Sequence, residues 1–393
     1  MESFYRTHDY LLEHLEVPVR RILMDEINWD DRLIGIKGSR GVGKTTFLLA
    51  YAKERFGAGN RECLYMNLNQ FYFTERSILD FAREFRDQGG KVLLLDQVFK
   101  YPDWSKELRA CYDRLPDLKI IFTGSSVMRL TEENPDLNDR VVSYNLRGFS
   151  FREYLNLTAG TNFPVYELDT LLDHHADIAR QVEEQLSPAN YFRSYLHHGY
   201  YPFYLEKRNF SENLLKTMNM MLEVDVLYIK QIEQRYLPKL RRLLYILATQ
   251  PPSAPNVSQL SKDIETSRAT VMNYIKYLTD ARLTNLLYRE GETFPKKPAK
   301  VYMNNTNLMY PIRPGKPDEQ ALRETFFYNM LHKGHKLNLG LHGAQFRVDG
   351  AYDFCVLGNP PAEKGNASLF YAVDRMDLGR DRLIPLWLFG FLY

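Results

Sequence analysis

An α/β fold built on a parallel sheet is what this sequence predicts, and three observations predict it. Between about residues 33 and 146, short apolar runs alternate with helical stretches, the pattern of strands joined by right-handed crossovers. Several runs are apolar on both faces, as strands buried inside a parallel sheet must be. The first strand-to-helix turn carries a glycine-rich segment of the kind that cradles phosphate.

The predicted strands are RLIGIK (32–37), CLYMNL (63–68), KVLLLD (91–96), KIIFTG (119–124) and VVSYNL (141–146). Between them, TTFLLAYAKERF (45–56), SILDFAREFRDQ (77–88) and WSKELRACYDRL (104–115) place apolar residues at helical spacing. From Ser150 to about Tyr245 strand patterns disappear and helical ones dominate, as in NLLKTMNMMLEVDVLYIKQIEQ (213–234). TQPPSAPN (249–256) and YPIRPGKPD (310–318) read as boundaries. The predicted division is 1–150, 151–248, 249–310 and 311–393.

Composition bounds the function. With 51 basic and 49 acidic residues the net charge is +2, so no global field draws the chain onto nucleic acid, and any DNA contact needs a local patch. The 27 Tyr and 23 Phe read as packing residues rather than a base-stacking surface. No apolar run approaches the roughly 18 residues of a membrane helix, and the polar N-terminus lacks a secretory core. Cys63, Cys111 and Cys355 lie far apart, which fits a reducing cytoplasm.

The strongest motif is Gly38-Ser39-Arg40-Gly41-Val42-Gly43-Lys44-Thr45, followed by Thr46, a match to GxxxxGK[ST]. Glycines let backbone N–H groups curl around phosphate oxygens. Lys44 reaches the β and γ phosphates, and Thr45 offers a hydroxyl to Mg²⁺. The helix that follows points its positive end at the same anion. The motif therefore predicts ATP with Mg²⁺ as ligand and cofactor.

A second acidic position follows. KVLLLDQV (91–98) ends an apolar strand with Asp96, where a carboxylate holds Mg²⁺ beside Thr45. Phosphate-loop hydrolases usually follow that aspartate with a glutamate that activates water, but here position 97 is glutamine. Its amide has nearly the same shape and is no useful proton acceptor near neutral pH. Binding should survive while hydrolysis slows. Either the chain is a natural non-hydrolysing switch, or a Glu-to-Gln change in this chain traps ATP; the otherwise intact site favours the second.

Thr123 and Ser125, in IIFTGSS, are candidates to sense the γ-phosphate or simply to cap a turn. Arg140, before the fifth strand, is either a finger acting across a subunit interface, which implies a homo-oligomer, or a solvated arginine.

Taken together, GSRGVGKTT, LLLDQVFKYPDW, IIFTGSS and GFSFREYL resemble a group of bacterial and archaeal AAA-superfamily ATPases, and NNTNLMY, LRETFFYNML and IPLWLFGFLY resemble that group's C-terminal domain of unknown function. The resemblance spans nearly the whole chain. It implies an AAA-type core whose sensor strand lies between the phosphate-loop and Asp96 strands, then a helical lid, a winged helix and a small α/β domain like a restriction endonuclease. Gln97 departs from the Asp-Glu that the group normally carries.

NVSQLSKDIETSRATVMNYIKYLTDARLTNLLYRE (256–290) reads as helix, turn, helix, strand, with Leu260, Ile264, Val271, Ile275 and Leu278 facing inward and Ser267 capping the second helix. Arg268, Thr270, Asn273 and Lys276 would face outward, and Lys296, Lys297 and Lys300 would sit on a wing at 291–303. These residues are the candidate DNA contacts, although such modules also serve as lids or protein contacts. In the C-terminal domain Glu324 and Asp349 match the first two acidic positions of the nuclease-like pattern, but Cys355 stands where glutamate is common and no lysine matches. A structural or partner-binding domain is favoured over an active nuclease. The histidine pairs 174–175 and 197–198 lack ligands at metal spacing. The reading is a cytoplasmic, ATP-driven switch or remodeller; the alternative is a non-catalytic DNA-binding or signalling scaffold that uses ATP to set its assembly.

Overall fold

The computed structural model describes residues 1–128, 130, 135–206, 209–312, 315–361, 366 and 368–393. The chain divides into two compact units, Met1–Arg147 and Gly148–Tyr393.

The first unit is the predicted α/β core. Its strands are β1 (Leu33–Gly38), β2 (Cys63–Asn67), β3 (Val92–Asp96), β4 (Lys119–Ser125) and β5 (Val142–Asn145), each within one residue of its predicted ends. They lie in the order β2-β3-β4-β1-β5, all parallel, so β4 separates β1 from β3. Every residue of β3 is buried, which is why the run is apolar on both faces. The helices Lys44–Arg55, Ile78–Asp87 and Trp104–Arg114 fill the connections. The second of these buries Ile78, Leu79, Phe81, Ala82 and Phe85 along one stripe, and Ser77 caps it by accepting the Asp80 N–H at 3.0 Å.

An N-terminal helix, Glu2–Glu13, was not anticipated. It buries Tyr5, His8 and Leu12 at helical spacing. His8 Nδ1 accepts the Tyr65 N–H of edge strand β2 at 3.1 Å, so the helix covers an edge group that would otherwise lack a partner in the sheet.

The second unit begins with the helix Phe151–Thr158, closed by a reciprocal capping box between Ser150 and Glu153. Further helices are Leu168–Glu183, Ala189–Ser194, Phe210–Met220 and Leu237–Thr249. The helical pattern at 213–234 forms as the helix Phe210–Met220 running into a π-helical stretch, Met221–Tyr228, and helical backbone ends before Gln231, which takes a φ of 54°. A second π turn spans Tyr195–Gly199. Asn307 Nδ2 donates to the carbonyls of Tyr195 and Leu196 at 3.0 and 2.9 Å.

The segment predicted as helix-turn-helix contains the helices Val257–Asp263 and Arg268–Asp280, then β6 (Thr284–Leu287) antiparallel to β7 (Lys300–Met303). Leu260, Ile264, Val271, Ile275 and Leu278 are all buried, and Ser267 Oγ accepts the Thr270 N–H at 3.0 Å. The helix Glu319–Leu331, buried from Ala321 to Leu331, precedes β8 (Leu337–Leu339), β9 (Phe346–Val348), β10 (Tyr352–Leu357), β11 (Phe370–Val373) and β12 (Leu383–Pro385). These form one mixed sheet in the order β12-β11-β10-β9-β8. The 310–318 boundary includes residues 313–314, which lie outside the described residues. Among the described residues, no helix is long and apolar enough to cross a membrane.

Candidate nucleotide site

The loop between β1 and the helix Lys44–Arg55 turns on two glycines in the left-handed region, Gly41 at φ 85° and Gly43 at φ 92°. A side chain at either would be strained, so the motif's glycines are a backbone requirement. Lys44 Nζ donates to the carbonyls of Gly38 and Ser39, both at 2.9 Å, which keeps the ammonium over the start of the loop. Val42 and Ser39 are buried, Arg40 is half-buried and Thr46 is exposed. Arg21, which no sequence pattern marks, braces the loop: its guanidinium donates to the carbonyls of Val42 at 3.2 Å and Arg147 at 2.6 Å.

Strand register and the start of the helix Lys44–Arg55 bring three hydroxyls to one carboxylate. Asp96 ends β3 and is 1% exposed. Thr45 Oγ1 donates to its Oδ2 at 2.7 Å, Tyr65 OH to the same oxygen at 2.8 Å, and Thr123 Oγ1 to its Oδ1. Tyr65 pairs with Leu94 across β2 and β3, two residues before Asp96, so its ring runs along the same sheet face to the carboxylate. Burial, and then the Asp96 charge, push the Tyr65 phenol up, so it remains a donor. Sequence reading missed Tyr65; the alternation along CLYMNL puts Tyr65 and Asn67 on one face but does not reveal the neighbouring strand.

Gln97 sits at φ 59° and ψ 46°, an uncommon conformation for a residue with a side chain. Its N–H donates to Thr123 Oγ1 at 3.0 Å, and its side-chain amide makes no hydrogen bond within the described residues. Thr123 therefore joins Asp96 to position 97. Ser125 stands apart, its Oγ accepting the Val127 N–H at 3.4 Å. Arg140 is held on its own unit by Asp139 at 2.6 Å and Asp113 at 3.8 Å, with its guanidinium 5.7 Å from the centre of the Tyr112 ring. The Asp96 carboxylate and the Thr45 hydroxyl make a hard-oxygen set that suits Mg²⁺, which takes most of its remaining ligands from phosphate and water.

Elsewhere, Arg268 and Lys297 line a cleft of about 630 Å³ with Asn256, Ser258, Met272 and Pro295, and among the described residues no acidic side chain lines it. Three of the other candidate DNA contacts are engaged: Lys276 pairs with Asp280 at 2.6 Å, Lys296 with Glu292 at 3.6 Å, and Lys300 with Glu324 at 3.1 Å. Glu324 also accepts from Tyr302 OH at 2.7 Å and Gln320 at 3.1 Å. Asp349, in the turn between β9 and β10, accepts the Lys336 N–H at 2.8 Å and pairs with His335 at 2.7 Å. Among the described residues Glu324 and Asp349 share no partner, and burial raises the Cys355 thiol. His175 bonds the Asp381 carbonyl at 3.0 Å, and His197 and His198 contact each other at 3.3 Å. Among the described residues, no group of three or more His, Cys, Asp or Glu is arranged to hold a metal.

Residues 30–155 match the family described as AAA domain, and residues 189–314 match a domain of unknown function, DUF8612. An uncharacterized protein of Methanocaldococcus jannaschii is 28% identical over 273 residues, a match covering 66% of this chain and 57% of that protein. The chain thus spans little more than half of that relative. Among solved structures, C. elegans PCH-2 is 17% identical, with 39% of this chain and 42% of that one covered and a TM-score of 0.23. The Aeropyrum pernix ORC1 protein, solved in complex with DNA, is 10% identical, with 83% and 91% covered and a TM-score of 0.28. Scores this low carry no weight for function. The AAA match spans the phosphate loop, Asp96, Gln97, Thr123 and Arg140, and covers most of the first unit.

Proposed function

We propose that this chain binds ATP with Mg²⁺ as a nucleotide-driven switch or remodeller, and that Gln97 slows its hydrolysis. The observation that carries this reading is the convergence of Thr45, Asp96 and Thr123 beside the Gly38–Thr45 loop. Loop N–H groups and Lys44 bind the phosphates; Thr45 and Asp96 hold the metal, which supplies positive charge to the phosphate oxygens when bound. Position 97 faces the attacking water. A glutamine there orients water without taking its proton, whereas a glutamate does both. Gln97→Glu should raise steady-state ATP turnover by about 100-fold or more, the usual share of a general base. Unchanged turnover with ATP binding intact would favour the alternative, a scaffold that uses ATP to set its assembly.

The four-part division, with a helical lid, a winged helix and a nuclease-like end, belongs to this proposal, as does assembly into a homo-oligomer. For Arg140 to act as a finger it would have to exchange Asp139 for phosphate.

The acid-free cleft beside Arg268 favours DNA as a second ligand, with Arg268 and Lys297 as phosphate contacts. Replacing both with glutamate should weaken duplex binding and flatten its salt dependence. Unchanged affinity and slope would dismiss the cleft.

A further inference from the structure

Asp96 is oriented by more than the phosphate loop. Thr45 comes from that loop's helix, so any adjustment of the loop around phosphate carries Thr45 with it. Tyr65 comes from the opposite side, on β2, and donates to the same oxygen, Oδ2, at 2.8 Å. Tyr65 is 8% exposed and its ring turns about only two bonds, so it is a stiff strut. Its strand is fixed at that residue: the Tyr65 N–H is bonded to His8 on the helix Glu2–Glu13, and the β2–β3 ladder runs from Cys63 to Asn67. Thr123 holds the other oxygen from β4. The carboxylate is thereby clamped between two strands, independently of the loop.

We propose that Tyr65 is a positioning residue for the magnesium site, setting the orientation of Asp96 while the phosphate loop adjusts to its nucleotide. The proposal rests on the nucleotide reading above. It makes Tyr65 matter for the metal-dependent part of nucleotide affinity and leaves the part supplied by Lys44 and the loop N–H groups alone. A merely structural tyrosine would weaken both parts together.

The test uses the full chain and its Tyr65→Phe variant, with ATP affinity measured across a magnesium titration and again in EDTA. In Tyr65→Phe the magnesium concentration for half-maximal tightening should rise by about 10-fold, the usual cost of losing a hydrogen bond to a charged group, while affinity in EDTA stays within about two-fold. An unchanged magnesium midpoint, or equal losses with and without magnesium, would overturn the proposal. Should Tyr65→Phe fail to fold, His8→Leu serves instead, because it frees the strand at Tyr65 and leaves the phenol in place. It should shift the midpoint in the same direction by a smaller factor, and no shift would count against the strut. Failure of the unsubstituted chain to bind ATP in either buffer would instead remove the nucleotide reading itself.

Discussion

Asp96 in the first unit and Glu324 in the second begin alike and end differently. Both are buried, at 1% and 6% exposure, and each accepts a tyrosine hydroxyl, from Tyr65 at 2.8 Å and from Tyr302 at 2.7 Å. The remaining partners separate them. The other partners of Asp96, Thr45 and Thr123, are neutral hydroxyls, and among the described residues no cationic side chain pairs with it. Glu324 pairs with the ammonium of Lys300 at 3.1 Å, and its charge is already balanced. An acidic residue at the position a fold leads one to expect is therefore no metal ligand in itself; what matters is whether its neighbours leave charge unspent.

Substitution separates the two further. Asp96→Asn should show the largest effect, lowering magnesium-dependent ATP affinity by about 100-fold, because an amide offers the cation no charge. Glu324→Gln should leave ATP and magnesium untouched and lower folding stability by about 2 kcal/mol in a denaturant titration. The figure is less than for a fully buried pair because Lys300 is 23% exposed. Replacing the cluster together, Lys300→Met and Glu324→Leu with Tyr302→Phe, should return stability to within about 1 kcal/mol of the original, since neither a charge nor the buried Tyr302 hydroxyl is then left unpaired. A magnesium response that changed with Glu324 would break the comparison.

What the sequence revealed followed periodicity and fixed spacing. The five core strands were legible because burial on both faces forces continuous apolar runs such as LLLD, and the phosphate loop was legible because its chemistry fixes each residue type. Tyr65 was not, because strand neighbours and register arise only on folding, and CLYMNL does not say that it will lie beside β3. The same holds for Arg21, whose role depends on carbonyls 21 and 126 residues away. It holds also for Lys300, predicted on an exposed wing yet bound to a carboxylate 24 residues on. The helical character of 213–234 was legible, but its periodicity gave no sign of the wider turn at Met221–Tyr228 or of the left-handed Gln231.

The central claim is that the Gly38–Thr45 loop binds Mg·ATP, and isothermal titration of the chain and of Lys44→Ala tests it most directly. Saturable binding at one site per chain, weakened by about 10- to 100-fold when the ammonium is removed, is the predicted result. No binding by the chain, or equal affinity in the variant, would contradict it.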